Sequence, residues 1–340
     1  MINKKAKALV LLSGGLDSIL AVKLLLEQNI EVTAINFRTN FCGPSQARPA
    51  AALLGVPLRE VSIREDFLPI LRKPKHGYGA GLNPCIDCHA LMLKKAGQIM
   101  RAEGFDFLAT GEVLGERPMS QHKTALDIVA KEADVVGYLL RPLSAKLLEP
   151  TIAEKEGLVD REKLWDISGR SRKIQMALAA QYNITDYPTP AGGCALTQKG
   201  FSDRLRELMK NKPGFNAHDI DLVRFGRHFW IDDEPLPFDE LRVDLAQGIL
   251  PKSSGAESKA SVQIILGRNK EENEFLKSQT KKGEVFIIPI NFSGPEALLR
   301  GQNISEENIE RAKELIGEFA SKKETLKKED RAFDVIKGDL

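Results

Sequence analysis

The residues of this chain best suited to chemistry are one serine- and glycine-rich loop with an aspartate, and four cysteines. The loop is Ser13-Gly14-Gly15-Leu16-Asp17-Ser18, set inside an apolar stretch that runs from Ala8 to Leu26. Glycines let a backbone approach a ligand closely, the Ser13 and Ser18 hydroxyls add donors, and a following helix offers unpaired N–H groups with a favourable dipole. These properties describe an anion site of phosphate size. Asp17 places a carboxylate at the same spot, which makes electrostatic sense when a divalent cation such as Mg2+ lies between it and the phosphates. The Walker A pattern is absent, because no Gly-Lys-Ser/Thr follows.

The cysteines fall at 42, 85, 88 and 194. Cys85 and Cys88 form a CxxC after Asn83-Pro84 at the head of a helical pattern, where thiol pKa values are lowered. That placement suits metal ligation, persulfide chemistry or disulfide exchange. Cys194 follows Tyr187-Pro188-Thr189-Pro190 and Gly192-Gly193, a stiff approach ending in a loop with little steric cover. Cys42, five residues beyond Phe37, reads as a small buried hydrophobe. The stretch from Arg72 to Arg101 carries six Lys/Arg against one Asp, including Lys94 and Lys95. From Ser168 to Lys212 there are eight Lys/Arg against three Asp/Glu, including Arg170, Arg172 and Lys173. Such excesses suit a phosphate-rich partner, and these five residues are the candidate RNA contacts. His122, near a helix start, reads as a cap or packing residue.

Alternating patterns must position these groups. Ala8 to Leu12 is a short continuous apolar run, as in a strand covered on both faces, and Leu20, Val22, Leu24 and Leu25 continue as a helix. Glu31–Phe37, Leu58–Ile63 and Phe107–Thr110 supply further strands, with helices between them. Residues 1–150 therefore read as a doubly wound α/β domain with a parallel sheet. In such sheets ligands bind outside the carboxyl ends of the strands, so Ser13–Ser18, Phe37 and the Thr110-Gly111 turn are expected to meet at one nucleotide.

SGGLDS, placed at the first strand-to-helix turn, resembles the pyrophosphate loop of the PP-loop ATP pyrophosphatases, of the adenine nucleotide alpha hydrolase-like fold. Together with NPCIDC and PAGGCALT, it resembles the tRNA thiouridylases, both the 2-thiouridylases and the 4-thiouridine synthetases, over residues 6 to about 210. The resemblance implies ATP-dependent thiolation of a tRNA uridine. AMP is transferred to the uridine carbonyl oxygen, pyrophosphate leaves, and sulfur then displaces AMP. It implies ATP and Mg2+ at Ser13, Gly14, Gly15, Leu16, Asp17 and Ser18, with Phe37, Thr110 and Gly111 beside the nucleotide. In the family the first position of the NPxxxC motif is commonly a catalytic aspartate; here Cys85 stands there, with Cys88 at the cysteine position and Cys194 at the later one. That departure resembles the iron–sulfur branch of thiolating enzymes, in which three cysteines hold a [4Fe-4S] cluster with one open iron. Cys85, Cys88 and Cys194 are accordingly the expected metal ligands and, with Asp17, the catalytic set. A zinc site using His89 and Cys194, or a cysteine persulfide without any cluster, remains open. The sulfur donor is expected to be sulfide or a persulfide carrier such as a cysteine desulfurase. A PP-loop ligase or small-molecule sulfur transferase that never touches RNA is the rival reading, and a non-catalytic RNA-binding protein a third.

The chain has 340 residues, 42% hydrophobic and 28% charged, with net charge +2, which excludes fibrous and disordered classes. No run of 18 apolar residues and no cleavable leader is seen, so a cytoplasmic protein without a membrane partner is expected. Four cysteines are too few for a disulfide framework. Beyond the 1–150 domain, residues 151–252 read as the cysteine-bearing basic segment followed by a small mixed module around Trp230. Residues 255–325 resemble the NFACT RNA-binding module through Gly267-Arg268-Asn269 and Gly294-Pro295. From Gly255 to Leu340 there are 15 Lys/Arg and 16 Asp/Glu, a net charge of −1, so a structural or dimerising role competes with RNA binding and a homodimer is left open. Residues 326–340 read as a charged, frayed tail.

Overall fold

The computed structural model describes residues 5–42, 46–187, 194–231, 262–320 and 326–338. The chain divides into two compact units, residues 1–199 and 200–340.

In the first unit, strands β1 (Lys7–Leu11), β2 (Glu31–Arg38), β3 (Leu58–Ser62), β4 (Phe107–Thr110) and β5 (Leu139–Leu140) form one sheet in the order β3-β2-β1-β4-β5. All its pairings are parallel. The helices are α1 (Leu16–Leu26), α2 (Ala47–Leu54), α3 (Arg64–Arg72), α4 (Cys85–Glu103), α5 (Lys123–Glu132), α6 (Ile152–Lys155) and α7 (Lys173–Gln181). The strand order reverses between β1 and β4, which leaves a crevice at their carboxyl ends. Ala8, Leu9 and Val10 of β1 are fully buried, as a central strand covered on both faces requires. Two apolar layers flank the sheet. One gathers Val10, Leu20, Val32 and Phe107, and the other Leu9, Ile35, Leu93 and Leu108.

The first unit extends to Lys199 rather than ending near 150, because Val159, Leu164, Ile167 and Leu178 pack into the same apolar layer as α1. This extension matters for the site, since it carries α7 and Cys194.

The second unit contains α8 (Lys199–Asn211), α9 (Ala217–Val223), β6 (Arg227–Ile231), β7 (Val262–Leu266), α10 (Lys270–Ser278), β8 (Val285–Pro289), β9 (Ala297–Arg300), α11 (Glu306–Glu318) and β10 (Phe333–Lys337). Its sheet, β10-β8-β9-β7-β6, is antiparallel throughout. Trp230 lies in β6, which pairs with β7, so the segment around it shares a sheet with the module that follows. The frayed tail expected from 326 is instead a strand from Phe333 to Lys337, the edge partner of β8. Phe333 and Val335 pack against the unit's core, and that burial outweighs the charged composition that suggested fraying.

Candidate functional site

The chain leaves β1 at Leu11 and turns through residues 12–15 into α1. Gly14 adopts φ +84°, and a Cβ there would lie 2.3 Å from the Gln46 backbone, so only glycine fits. The Ser18 hydroxyl donates to the Gly15 carbonyl (2.8 Å), the Gly15 N–H donates to Ser13 Oγ (3.2 Å), and the two serine hydroxyls lie 3.2 Å apart. Gly15, the N-cap of α1, provides no side-chain cap, so the first-turn N–H groups remain open to an anion. Leu16 is fully buried and serves through its backbone.

Opposite this loop the β4 strand ends in Thr110-Gly111. A Cβ on Gly111 would lie 2.4 Å from the Ser18 nitrogen, which shows how tightly this turn presses on the first turn of α1. The Thr110 hydroxyl is committed elsewhere and donates to Glu112 Oε2 (3.1 Å). Phe37, expected beside the nucleotide, has its ring buried in the apolar layer with Leu9, Ile35 and Leu93; its β2 position alternates inward, so only the strand end faces the crevice.

Around Asp17 the structure gathers charge that the sequence had dispersed. Burial pushes the Asp17 carboxyl up, against the pull of Arg172, a hydrogen-bonding tendency from Gln175, and Arg117. Glu116 is also raised, first by burial and then by Asp17, with Arg117 and Arg172 opposing. Two carboxylates and two guanidiniums thus surround the loop. Arg172, expected to contact RNA, faces the nucleotide loop, because α7 packs alongside α1 and brings its first turn to Asp17.

The cysteine-bearing segments are joined by backbone hydrogen bonds. Ala195 N–H donates to the Phe41 carbonyl (3.1 Å), and Leu82 N–H donates to the Leu196 carbonyl (2.9 Å). These two bonds tie the Cys194 segment to the residue before Cys42 and to the loop that enters α4. Against the lowering expected at a helix N-terminus, burial pushes the Cys88 thiol well up, and Cys194, Cys42, Cys85 and Asp87 reinforce the shift, so the other three sulfurs lie within electrostatic reach of Cys88. Cys85 is raised by burial and drawn down by Arg117. Cys42 is exposed rather than a buried hydrophobe, and it accepts a hydrogen bond from Thr39 Oγ1 (3.4 Å). It sits where β2 has left the sheet, past the last position that the core covers. Among the described residues no three His, Cys, Asp or Glu side chains are set at metal-ligating spacing.

A third group escaped sequence reasoning. Glu112, 8% exposed, accepts from Arg141 Nε (2.9 Å) and pairs with His89 Nδ1 (2.9 Å). Burial alone would raise its carboxyl, but Arg141 and His89 overcome that and hold it at about 2. His89 follows Cys88 on α4 and Glu112 follows the Thr110-Gly111 turn, so this pairing fastens the cysteine helix to the nucleotide side of the sheet. Nothing in the spacing of residues 89, 112 and 141 announces it.

Lys94, Arg170 and Lys173 are exposed, whereas Lys95 pairs with Asp66 at 2.8 Å. His122 caps α5, its Nδ1 accepting from Ala125 N–H (3.2 Å). No helix among the described residues is long and apolar enough to cross a membrane.

With this geometry in hand, comparison with known proteins is informative. Residues 6–158 match the family model described as the tRNA methyl transferase HUP domain, and residues 257–329 match the NFACT protein RNA binding domain. A tRNA-specific 2-thiouridylase of Syntrophus aciditrophicus is 29% identical over 228 residues, covering 60% of this chain and 56% of the relative. One from Chloroflexus aurantiacus is 30% identical over 199 residues, covering 48% and 55%. The chain thus spans about half the length of the curated relatives it matches. Among solved structures, a 4-thiouridine synthetase in complex with RNA and ATP aligns at 17% identity over 64% of this chain and 53% of that one, with a TM-score of 0.35. Residues 6–158 are thus similar to the tRNA methyl transferase HUP domain and to part of the tRNA-specific 2-thiouridylases, and residues 257–329 are similar to the NFACT protein RNA binding domain.

Proposed function

We propose that this protein thiolates a uridine of tRNA, consuming ATP and releasing AMP and pyrophosphate. One observation carries most of the weight: the Thr110-Gly111 turn presses on the first turn of α1, and Glu112, next to it, pairs with His89 beside Cys88 at the head of the cysteine helix. A carbonyl oxygen adenylated at the loop would therefore lie within reach of the sulfur chemistry, as a two-step thiolation demands. The RNA-binding domain match at 257–329 and the tRNA-modifying relatives point to RNA as the carrier of that carbonyl.

Ser13, Gly14, Gly15, Leu16, Asp17 and Ser18 bind the triphosphate, through backbone N–H groups and hydroxyls, and Asp17 holds its Mg2+. Phe37 contributes its strand end and Gly111 its close-packed turn to the walls of the nucleotide pocket, with Thr110 behind. Exposed Lys94, Arg170 and Lys173, with Lys95 at the edge, hold tRNA phosphates.

Thiols are the natural donors for a thiophilic group. Cys85, Cys88 and Cys194 would hold a [4Fe-4S] cluster through their thiolates, and bound iron would offset the burial and the neighbouring sulfurs that push the Cys88 thiol up. When bound, that cluster would supply an open iron able to take hydrosulfide. Zinc is the alternative metal: it needs each sulfur about 2.3 Å from one point, and His89, whose Nδ1 pairs with Glu112, keeps Nε2 as a ligand. A cysteine persulfide on Cys194 is the metal-free version of the same sulfur delivery.

Mass spectrometry of nucleosides from tRNA of a deletion strain tests the reading. Loss of 2-thiouridine or 4-thiouridine is expected. Retention of both would favour a small-molecule sulfur transferase.

A further inference from the structure

We infer that the N-terminus of α7 is the second wall of the phosphate site, with Arg172 and the buried Gln175 receiving the pyrophosphate end of the nucleotide beside α1. The inference rests on the nucleotide reading above and assigns Arg172 to ATP rather than to RNA.

The two helices run parallel. At their C-terminal ends the Tyr182 hydroxyl donates to Glu27 (2.8 Å), and Lys23 Nζ lies 5.3 Å from the centre of the Tyr182 ring. At their N-terminal ends Arg172, the N-cap of α7, and Gln175 in its first turn face Asp17 in the first turn of α1. Side-by-side parallel helices bring two positive dipole ends together, which is unfavourable unless something negative sits there. Asp17 supplies part of that charge. Neither N-cap provides a side-chain hydrogen bond, so both sets of first-turn N–H groups are available.

Unpaired polar atoms point to the same place. Gln175 is 0% exposed, yet neither its amide nitrogen nor its amide oxygen has a hydrogen-bond partner. The buried Asp17 Oδ1 and Arg172 Nε likewise have none. Gln175 comes close enough to Asp17 to lower its carboxyl without forming a bond of ordinary geometry. Leaving buried polar groups unpaired is costly, so a cluster of them is retained where a ligand completes the bonding. The composition of the cluster names the ligand class. Asp17 and Glu116 suit a divalent cation, Arg172 and Arg117 suit phosphoryl oxygens, and the Gln175 amide can donate to one of those oxygens. A metal-bound pyrophosphate group satisfies all of them at once.

The test uses the full-length protein and three probes, Mg2+ with ATP, Mg2+ with inorganic pyrophosphate, and AMP, each titrated by calorimetry. Arg172→Ala is expected to weaken ATP and pyrophosphate by about tenfold or more while leaving AMP within about twofold. Arg172→Lys should recover part of the loss. Lys173→Glu, on an exposed first-turn residue that folding does not need, should weaken pyrophosphate by a few-fold through the helix dipole, less at high salt. Equal loss of AMP in Arg172→Ala would mean a general structural role, and unchanged pyrophosphate binding with reduced tRNA affinity would return Arg172 to the RNA surface; either overturns the inference. A wild-type protein that binds neither ATP nor pyrophosphate would overturn the nucleotide reading itself.

Discussion

Asp17 shows how a residue can be legible in sequence while its partners are not. Its place in SGGLDS marked it as a phosphate-loop carboxylate, but Arg117, Glu116, Arg172 and Gln175 come from two other segments and meet it only in the folded chain. Asp17→Ala and Ser13→Ala should each cut ATP-dependent pyrophosphate release by at least about a hundredfold, the scale of losing one preorganised contact to developing charge. Near-normal release by either variant, measured by a coupled phosphate assay, would remove the loop from the mechanism. The cysteines make a second residue-scale test. Anaerobically prepared protein is expected to be brown with about four irons per chain, and Ala at position 85, 88 or 194 should abolish that absorbance. Cys42→Ala should keep it, because Cys42 is exposed and outside the three-ligand set. Stoichiometric zinc without iron would favour a persulfide relay instead.

At the scale of elements, the turn after β4 and the head of α4 depend on each other through Glu112. Because its carboxylate is held at about 2 against an ordinary 4.5, Glu112 binds a proton less readily when folded. Its contribution is therefore fully present above about pH 5 and lost as pH falls toward 2, on the order of 3 kcal/mol. Glu112→Gln should flatten that acid limb of the stability curve and lower stability at pH 7, as followed by urea denaturation; an unchanged acid limb would mean that the pairing is not what holds α4. The close approach of Gly111 to α1 yields a companion prediction. Gly111→Ala forces a Cβ to within 2.4 Å of the Ser18 nitrogen, so the first turn of α1 must shift. A loss of about 1–3 kcal/mol is expected, with pyrophosphate release falling further than stability alone explains.

These elements also show what a sequence can disclose. The parallel strands were readable because each is a short apolar run between turn signals, and because β1 meets the loop directly. The extension to Lys199 was not, since α7 and the residues before it have no sharp composition change at 150; only their packing on α1 assigns them to the first unit. Phe37 was named for the end of its strand, and the sequence did not show where its ring lies. Its ring position is set by strand alternation against a core that the sequence alone does not display. The strand at Phe333–Lys337 was masked by flanking charge.

For the whole molecule, the proposed tRNA substrate lets each unit be tested for phosphate contacts. The first unit offers Lys94, Arg170 and Lys173 as exposed cations, while Lys95 is partly spent on Asp66. The second unit is close to neutral over 255–340, yet residues 257–329 match an RNA-binding domain, and Lys281 and Lys282 are exposed within it. Binding through phosphates releases counterions, so the logarithm of affinity should fall linearly with the logarithm of salt, each contact adding about 0.7–0.9 to the slope. Charge reversal at Lys94, Arg170 or Lys173 should lower the slope by about one each and weaken binding of tRNA of any sequence. Lys95→Glu should lower the slope less, because its ammonium is already paired with Asp66 and is less available to neutralise a phosphate. If the second unit grips the same tRNA, reversing Lys281 and Lys282 should lower the slope independently, and the two sets of losses should add, since no side chain is shared. Filter-binding titrations from low to moderate salt decide it. A slope untouched by Lys281 and Lys282 would confine phosphate contacts to the first unit, and salt-independent binding would count against RNA as the substrate.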